Sequence, residues 1–121
     1  MEIKKFKIGK NHFEFVCDDF STSRNWGHKV TLFKNNYQLQ HAKITYINRT
    51  YENYKYQSCM LKAIEQEIKE QKEYLKENYK DENNIYKMGK KDKQILENII
   101  ANNENIQVLL ELRKQVRGNI W

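Results

Sequence analysis

The imidazoles and thiols of this 121-residue chain are few: His12, His28, His41, Cys17 and Cys59. A zinc site draws three or four such ligands together and is usually announced by short repeats such as C-x-x-C or H-x-x-x-H. Neither spacing occurs, and the two cysteines stand 42 positions apart. One thiol–imidazole pair, Cys17 with His28, is conceivable, and it would need the thiolate held beside the ring. Cys17 shares the alternating register of Phe13 and Phe15, however, and this makes it a core thiol in a reducing compartment. No glycine-rich loop follows a strand to cradle a phosphate. The expectation is a chain that is not an enzyme, with no catalytic residue, no metal and no cofactor.

Residues suited to binding are easier to find. The run Ser21-Thr22-Ser23-Arg24-Asn25-Trp26-Gly27-His28 reads as a polar loop tip carrying Arg24 and Trp26. Both are residue types enriched where partners bind most tightly. Trp26 either presents its indole to a partner or folds back over the sheet as a lid. A second stretch holds Tyr46, Tyr51, Tyr54 and Tyr56 within eleven residues. Tyr54 falls on a helical apolar stripe and reads as core, whereas Tyr51 and Tyr56 lie off it, at a strand-to-helix corner. A tyrosine there either packs its ring and donates its hydroxyl locally or contributes to a contact surface. Arg49 either bonds carbonyls at the corner or meets a partner. The candidate partner-binding residues are therefore Arg24, Trp26, His28, Arg49, Tyr51 and Tyr56.

These stretches carry a resemblance. The loop with Arg24, Trp26 and His28, followed by Tyr46-x-Asn48-Arg49-Thr50-Tyr51-Glu52-x-Tyr54-x-Tyr56-Gln57-Ser58, is similar to a pattern in small phage and prophage proteins. There the corner reads N-R-T-W-E, and here Tyr51 stands in place of the tryptophan. The likeness covers roughly residues 12–64 and does not extend to 80–121. It implies a phage or mobile-element accessory protein working in the cytoplasm of a bacterial host. Some proteins of that kind evade host defence, including anti-CRISPR inhibitors that bind a Cas nuclease. The alternative, read from charge, is a small basic nucleic-acid-binding regulator.

The elements that must position these residues follow from periodicity. The architecture expected is α+β in one domain: an N-terminal antiparallel sheet of three to four strands over 1–49, a long helix over 50–80, and a C-terminal helical segment over 92–117. Phe13, Phe15 and Cys17 alternate with His12, Glu14 and Val16 as on a half-buried strand, after a turn at Gly9-Lys10-Asn11. Asn35-Asn36 suits a tight turn that tolerates positive φ. Pairing Lys34 with Tyr37 leaves Ala42, Ile44 and Tyr46 on the wrong parity, so a one-residue bulge is expected near Gln40-His41. Thr50 is placed as helix N-cap with Glu52 in the first turn. Tyr54, Leu61, Ile64, Ile68 and Leu75 then form one stripe. Asp81 to Lys91 reads as a linker. Ile95, Ile99, Ile106, Leu109 and Val116 continue a stripe, interrupted by Asn102 and Arg113, in one helix or in two joined at Asn102-Asn103. If that stripe exceeds what the sheet can cover, a homodimer is expected.

Charge adds a last constraint. The formal net charge is +6, and residues 1–49 carry nine basic and four acidic side chains, a net +5. The excess thus sits in the sheet segment, where it suits contact with phosphates. No apolar run approaches the ~18 residues that span a bilayer, and the opening Met1-Glu2-Ile3 does not begin a signal peptide.

Overall fold

Two short turns set the register of the sheet. In the computed structural model, described here for residues 1–46 and 56–118, strand β1 (Glu2–Ile8) runs into β2 (Asn11–Ser21) through Gly9 and Lys10. Gly9 has φ +60° and Lys10 keeps negative φ, the two-residue hairpin turn that needs glycine first. Strand β3 (Trp26–Lys34) turns into β4 (Tyr37–Tyr46) through Asn35 and Asn36, at φ 49° and 71°. Both central residues are left-handed, as the asparagine pair allows. Asn35 also ties the two hairpins together. Its N–H donates to the His12 carbonyl (2.8 Å), and its Oδ1 accepts from the His12 N–H (2.8 Å).

The sheet is antiparallel throughout, in the order β1-β2-β3-β4. Lys34 pairs with Tyr37 and Phe33 with Gln38, but Leu32 pairs with Gln40. The extra residue is Leu39, so the bulge lies just before the Gln40-His41 pair where it was expected. Its effect is the one parity demanded: Ala42 is set opposite Val30, and both are buried.

The bulge also aims Gln40 at the helix above. Its Nε2 donates to Glu67 Oε2 (3.0 Å) and to Glu70 Oε2 (2.6 Å), while Gln71 Nε2 donates to Glu67 Oε1 (3.0 Å). Glu67 is only 5% exposed, so these amides replace water around a carboxylate whose burial is costly without partners. Gln40→Leu should therefore lower stability by about 1–3 kcal/mol, read as a shift in the urea midpoint. Gln40→Leu combined with Glu67→Leu should recover much of that loss, since no buried carboxylate then lacks its amide and water can replace Gln40 at the exposed Glu70.

Three helices follow: α1 (Gln57–Asn83), α2 (Lys90–Ala101) and α3 (Glu104–Gly118). The long helix starts at Gln57 rather than at Thr50, because Tyr56 takes φ 69°, ψ −20°, a left-handed conformation that a right-handed helix cannot pass through. The roles expected of Thr50, Glu52 and Tyr54 fall outside the described residues. Helix α1 buries Cys59, Met60, Ala63, Ile64, Glu67 and Ile68. Ile64 and Ile68 belong to the expected stripe, whereas Leu61 and Leu75 are only half-buried. The small side chains of Cys59 and Ala63 widen the stripe on the other side. These residues join Phe13, Phe15, Cys17, Val30, Leu32 and Ala42 of the sheet and Leu109, Leu112 and Val116 of α3 in one core.

The expected linker narrows to 84–89. Asn84 is left-handed (φ 54°) and the Ile85 N–H returns to the Lys80 carbonyl (3.0 Å), closing α1. The C-terminal segment is two helices. Asn102 ends α2, and Asn103 Oδ1 accepts from the Ile106 N–H (3.1 Å), which caps the new start. This break divides the expected stripe. Ile106, Leu109 and Val116 are buried within the chain, while Ile95 and Ile99 of α2 remain 40% and 39% exposed. The α3 part of the stripe is thus covered without a second copy. Arg113, which seemed to interrupt it, pairs with Glu65 of α1 (2.8 Å). Gln57 Nε2 donates to the carbonyls of Val116 (2.9 Å) and Arg117 (3.3 Å), supplying donors to the C-terminal end of α3.

Helix α1 packs on β3 and β4 and α3 on β1, so one face of the sheet carries the helices. Among the described residues no helix is long and apolar enough to cross a membrane.

Candidate functional site

The end of the sheet formed by the β2–β3 loop gathers most of the residues that the sequence singled out. The loop is held from within by Thr22. Its N–H donates to the Asn25 carbonyl (2.7 Å), its hydroxyl donates to the same carbonyl (3.1 Å), and its Oγ1 accepts from the Asn25 N–H (3.0 Å). This leaves Arg24 exposed at the tip of a loop whose backbone is already ordered.

Beyond the loop, Trp26 begins β3 opposite Tyr46. Even-numbered residues of β3 face the core, so Trp26 turns inward with His28, Val30 and Leu32. Its ring lies 4.7 Å from that of Tyr46, tilted by 34°, and meets His28 edge-on at 5.7 Å. The His28 ring packs against Tyr46 at 5.3 Å and against Tyr56 at 4.7 Å. His28 Nδ1 and Asp19 Oδ1 are 2.7 Å apart, with His28 buried and the Asp19 side chain half in solvent. Of the two readings of Trp26, the structure has the lid. Its indole N–H is shielded and meets no acceptor among the described residues.

Tyr56 also binds Asp19. Burial pushes its phenol pKa up, and the hydrogen bond to Asp19 and the charge of that carboxylate push it further in the same direction. Asp19 therefore serves two rings, the imidazole of His28 and the phenol of Tyr56. His28 and Tyr56 are each 3% exposed, so neither ring offers a surface to a partner in this arrangement. Arg24 is the exposed member of the candidate set, and Arg49 and Tyr51 lie outside the described residues. Asp19 and Tyr46 were not singled out as site residues. The signal for Asp19 was its odd parity with Phe13, Phe15 and Cys17, which places a carboxylate on an otherwise apolar face.

The thiols take no part. Cys17 is fully buried, and desolvation pushes its pKa up to about 12. Cys59 is raised by burial as well, and its Sγ–H points at the backbone carbonyls of Ala42 (3.3 Å) and His28 (3.5 Å). A nucleophile needs the thiolate, and both environments oppose it.

These shifts have a sign that can be tested. Cys17 and Tyr56 hold their protons more tightly folded than unfolded. The stability they add is complete below about pH 9 and is lost as pH rises toward 12. Urea midpoints should hold steady from about pH 7 to 8.5 and fall above about pH 9. The fall should be shallower for Cys17→Ala, compared with its own neutral value. An unchanged midpoint up to about pH 11 would show that the thiol and the phenol are accessible to water.

No protein-family model, no curated protein and no solved structure matches this chain. What defines the site is its own geometry: a rigid loop carrying an arginine, set on an aromatic cluster that one carboxylate ties together.

Proposed function

We propose that this chain is a phage or mobile-element binding protein that inhibits a bacterial defence nuclease of the Cas kind, acting through the loop end of its sheet. One observation supports this reading above others. The two stretches that carry the resemblance to phage proteins, 21–28 and 46–58, are distant in sequence, yet their described residues meet. Trp26 pairs with Tyr46 across the β-ladder, and Tyr56 packs on His28. The described ends of the two stretches thus lie side by side, Trp26 on Tyr46 and His28 on Tyr56.

The chemistry of that end suits recognition. The rings and Asp19 are engaged with one another, which holds the loop above them in place. Arg24 projects from that support. A planar guanidinium on an ordered loop loses little freedom on binding and can grip a carboxylate or phosphate with two parallel hydrogen bonds.

The test is a plaque assay in a host with an active CRISPR system, with affinity capture from the same cells. The protein should protect the phage and co-purify with the nuclease. Arg24→Ala should lose at least about tenfold in binding with its melting temperature unchanged. No protection, together with capture of no defence protein, overturns the reading.

A further inference from the structure

We propose that the face of the sheet turned away from α1 and α3 binds single-stranded nucleic acid. This inference stands on that face alone and does not depend on the loop end described above. Strand parity assigns its residues. Where Phe13, Phe15, Val30, Leu32 and Ala42 turn to the core, their neighbours Glu14, Val16, Asp18, Phe20, Lys29, Thr31, Phe33, His41 and Lys43 turn the other way. On β1 the same face carries Ile3, Lys5 and Lys7. No described helix covers it.

Two aromatic rings stand on this face, both half-exposed. Phe20 pairs with Gly27, and its ring occupies the space where a side chain at Gly27 would be. Lys43 Nζ sits 4.2 Å from the centre of the same ring. Phe33 lies beside the bulge, opposite Glu14. Glu14 and Phe20 are six residues apart on β2, so the rings are separated by roughly 20 Å. Val16 and Thr31, paired across β2 and β3, make a low floor between them.

The cations flank this track. Lys5 and Lys7 line one side on β1, with Lys29 and Lys43 on β3 and β4, and all four are exposed. Lys5 is matched to Glu14 at 3.7 Å. Lys7, Lys29 and Lys43 make no ion pair among the described residues, although Asp18 stands across the ladder from Lys29. Against Glu14 and Asp18 on the same face, these four lysines leave it a side-chain net charge of +2. A half-exposed ring at Phe33, a second at Phe20 with Lys43 over it, and lysines without ion pairs on the same face match a ligand with a phosphate at every step and a flat apolar face beside it. That ligand is a single strand. A duplex keeps its base faces stacked, and a flat sheet offers nothing to enter a groove.

Fluorescence anisotropy with a labelled oligothymidylate of about 12 nucleotides, an oligouridylate of the same length, and a duplex of that length tests this. Either single strand should bind, and the duplex should bind at least about tenfold more weakly. Lys29→Gln with Lys43→Gln should leave the melting temperature in place. They should also reduce the slope of log affinity against log salt by about 0.7 for each phosphate that is no longer neutralised. Phe33→Ala should weaken binding by about tenfold, while Lys90→Gln with Lys91→Gln on α2 should change nothing. Equal affinity for duplex and single strands, no binding at about 50 mM salt, or an unchanged slope in the double lysine variant overturns the proposal. Single-strand binding without protection in the plaque assay would count only against the inhibitor reading. Protection without single-strand binding would count only against this one.

Discussion

Gly27→Ala should cost about 3 kcal/mol and lower the melting temperature by roughly 10 °C. The reason is the closeness of β4. A Cβ built on Gly27 would overlap the backbone carbonyl of Ile44 and come within 2.9 Å of the Phe20 ring. The ring could swing away, at the expense of its contact with Lys43. The carbonyl could not, because it belongs to the β3–β4 ladder, and moving it would pull apart the Trp26–Tyr46 and His28–Ile44 pairs on either side. The measurement is a thermal melt with a urea titration. An unchanged midpoint would mean that the two strands lie farther apart at this point than the structure has them. The predicted consequence reaches both surfaces, since Gly27 stands between the aromatic cluster on one face and Phe20 on the other.

Trp26→Ala should also destabilise the fold, by about 3 kcal/mol, whereas Arg24→Ala should fall within about 0.5 kcal/mol of the parent. The contrast follows from burial. The indole fills the space between Tyr46 and His28, so truncation leaves a cavity that the neighbouring rings can close only in part. The figure is held at the low end of the range for tryptophan because the ring is not fully buried and its N–H meets no acceptor. Arg24 sits two residues away on the exposed tip, with its backbone held by Thr22 and its side chain free of the core. If both variants melt like the parent, Trp26 is a surface residue and the lid arrangement is wrong. If Arg24→Ala melts well below it, the guanidinium is structural and is not available to a partner.

Local patterns in the sequence were enough for the elements. The alternation of Phe13, Phe15 and Cys17 marks a strand with one buried face, and Asn35-Asn36 marks a turn, because each depends on residues within a few positions of one another. The parity conflict between Tyr37 and Ala42 even shows that a bulge must exist. The start of α1 was less legible. A left-handed residue such as Tyr56 is an uncommon state for a bulky side chain, and nothing in the run from Thr50 to Gln57 signals it.

The candidate site was legible in its residue types and not in their surroundings. Trp26, His28 and Tyr56 were visible as candidates, but two opposite readings of Trp26 were open, and only cross-strand pairing with Tyr46 separates them. Asp19 acquired its part through the same pairing, since it faces His28 across β2 and β3. The isoleucines of the C-terminal half teach the same lesson. Ile99 and Ile106 sit in similar apolar patterns, yet Asn103 restarts the helix between them, and only Ile106 ends up buried in the chain.

What the sequence by itself determined was therefore the α+β order of elements, the turns, and the net +5 of residues 1–49, all of which are local or additive properties. Alternation marked the face of β2 with Phe13, Phe15 and Cys17 as the buried one, but which residues of β1, β3 and β4 share it is set by cross-strand register. Tertiary structure alone decided which helices cover that face and which side chains gather on the other one. The stripes of α1 and α3 must find the larger apolar surface, and the one with Phe13, Phe15, Val30 and Leu32 buries more. Lys29 and Lys43 were left on the opposite side by that register, and so was Phe20.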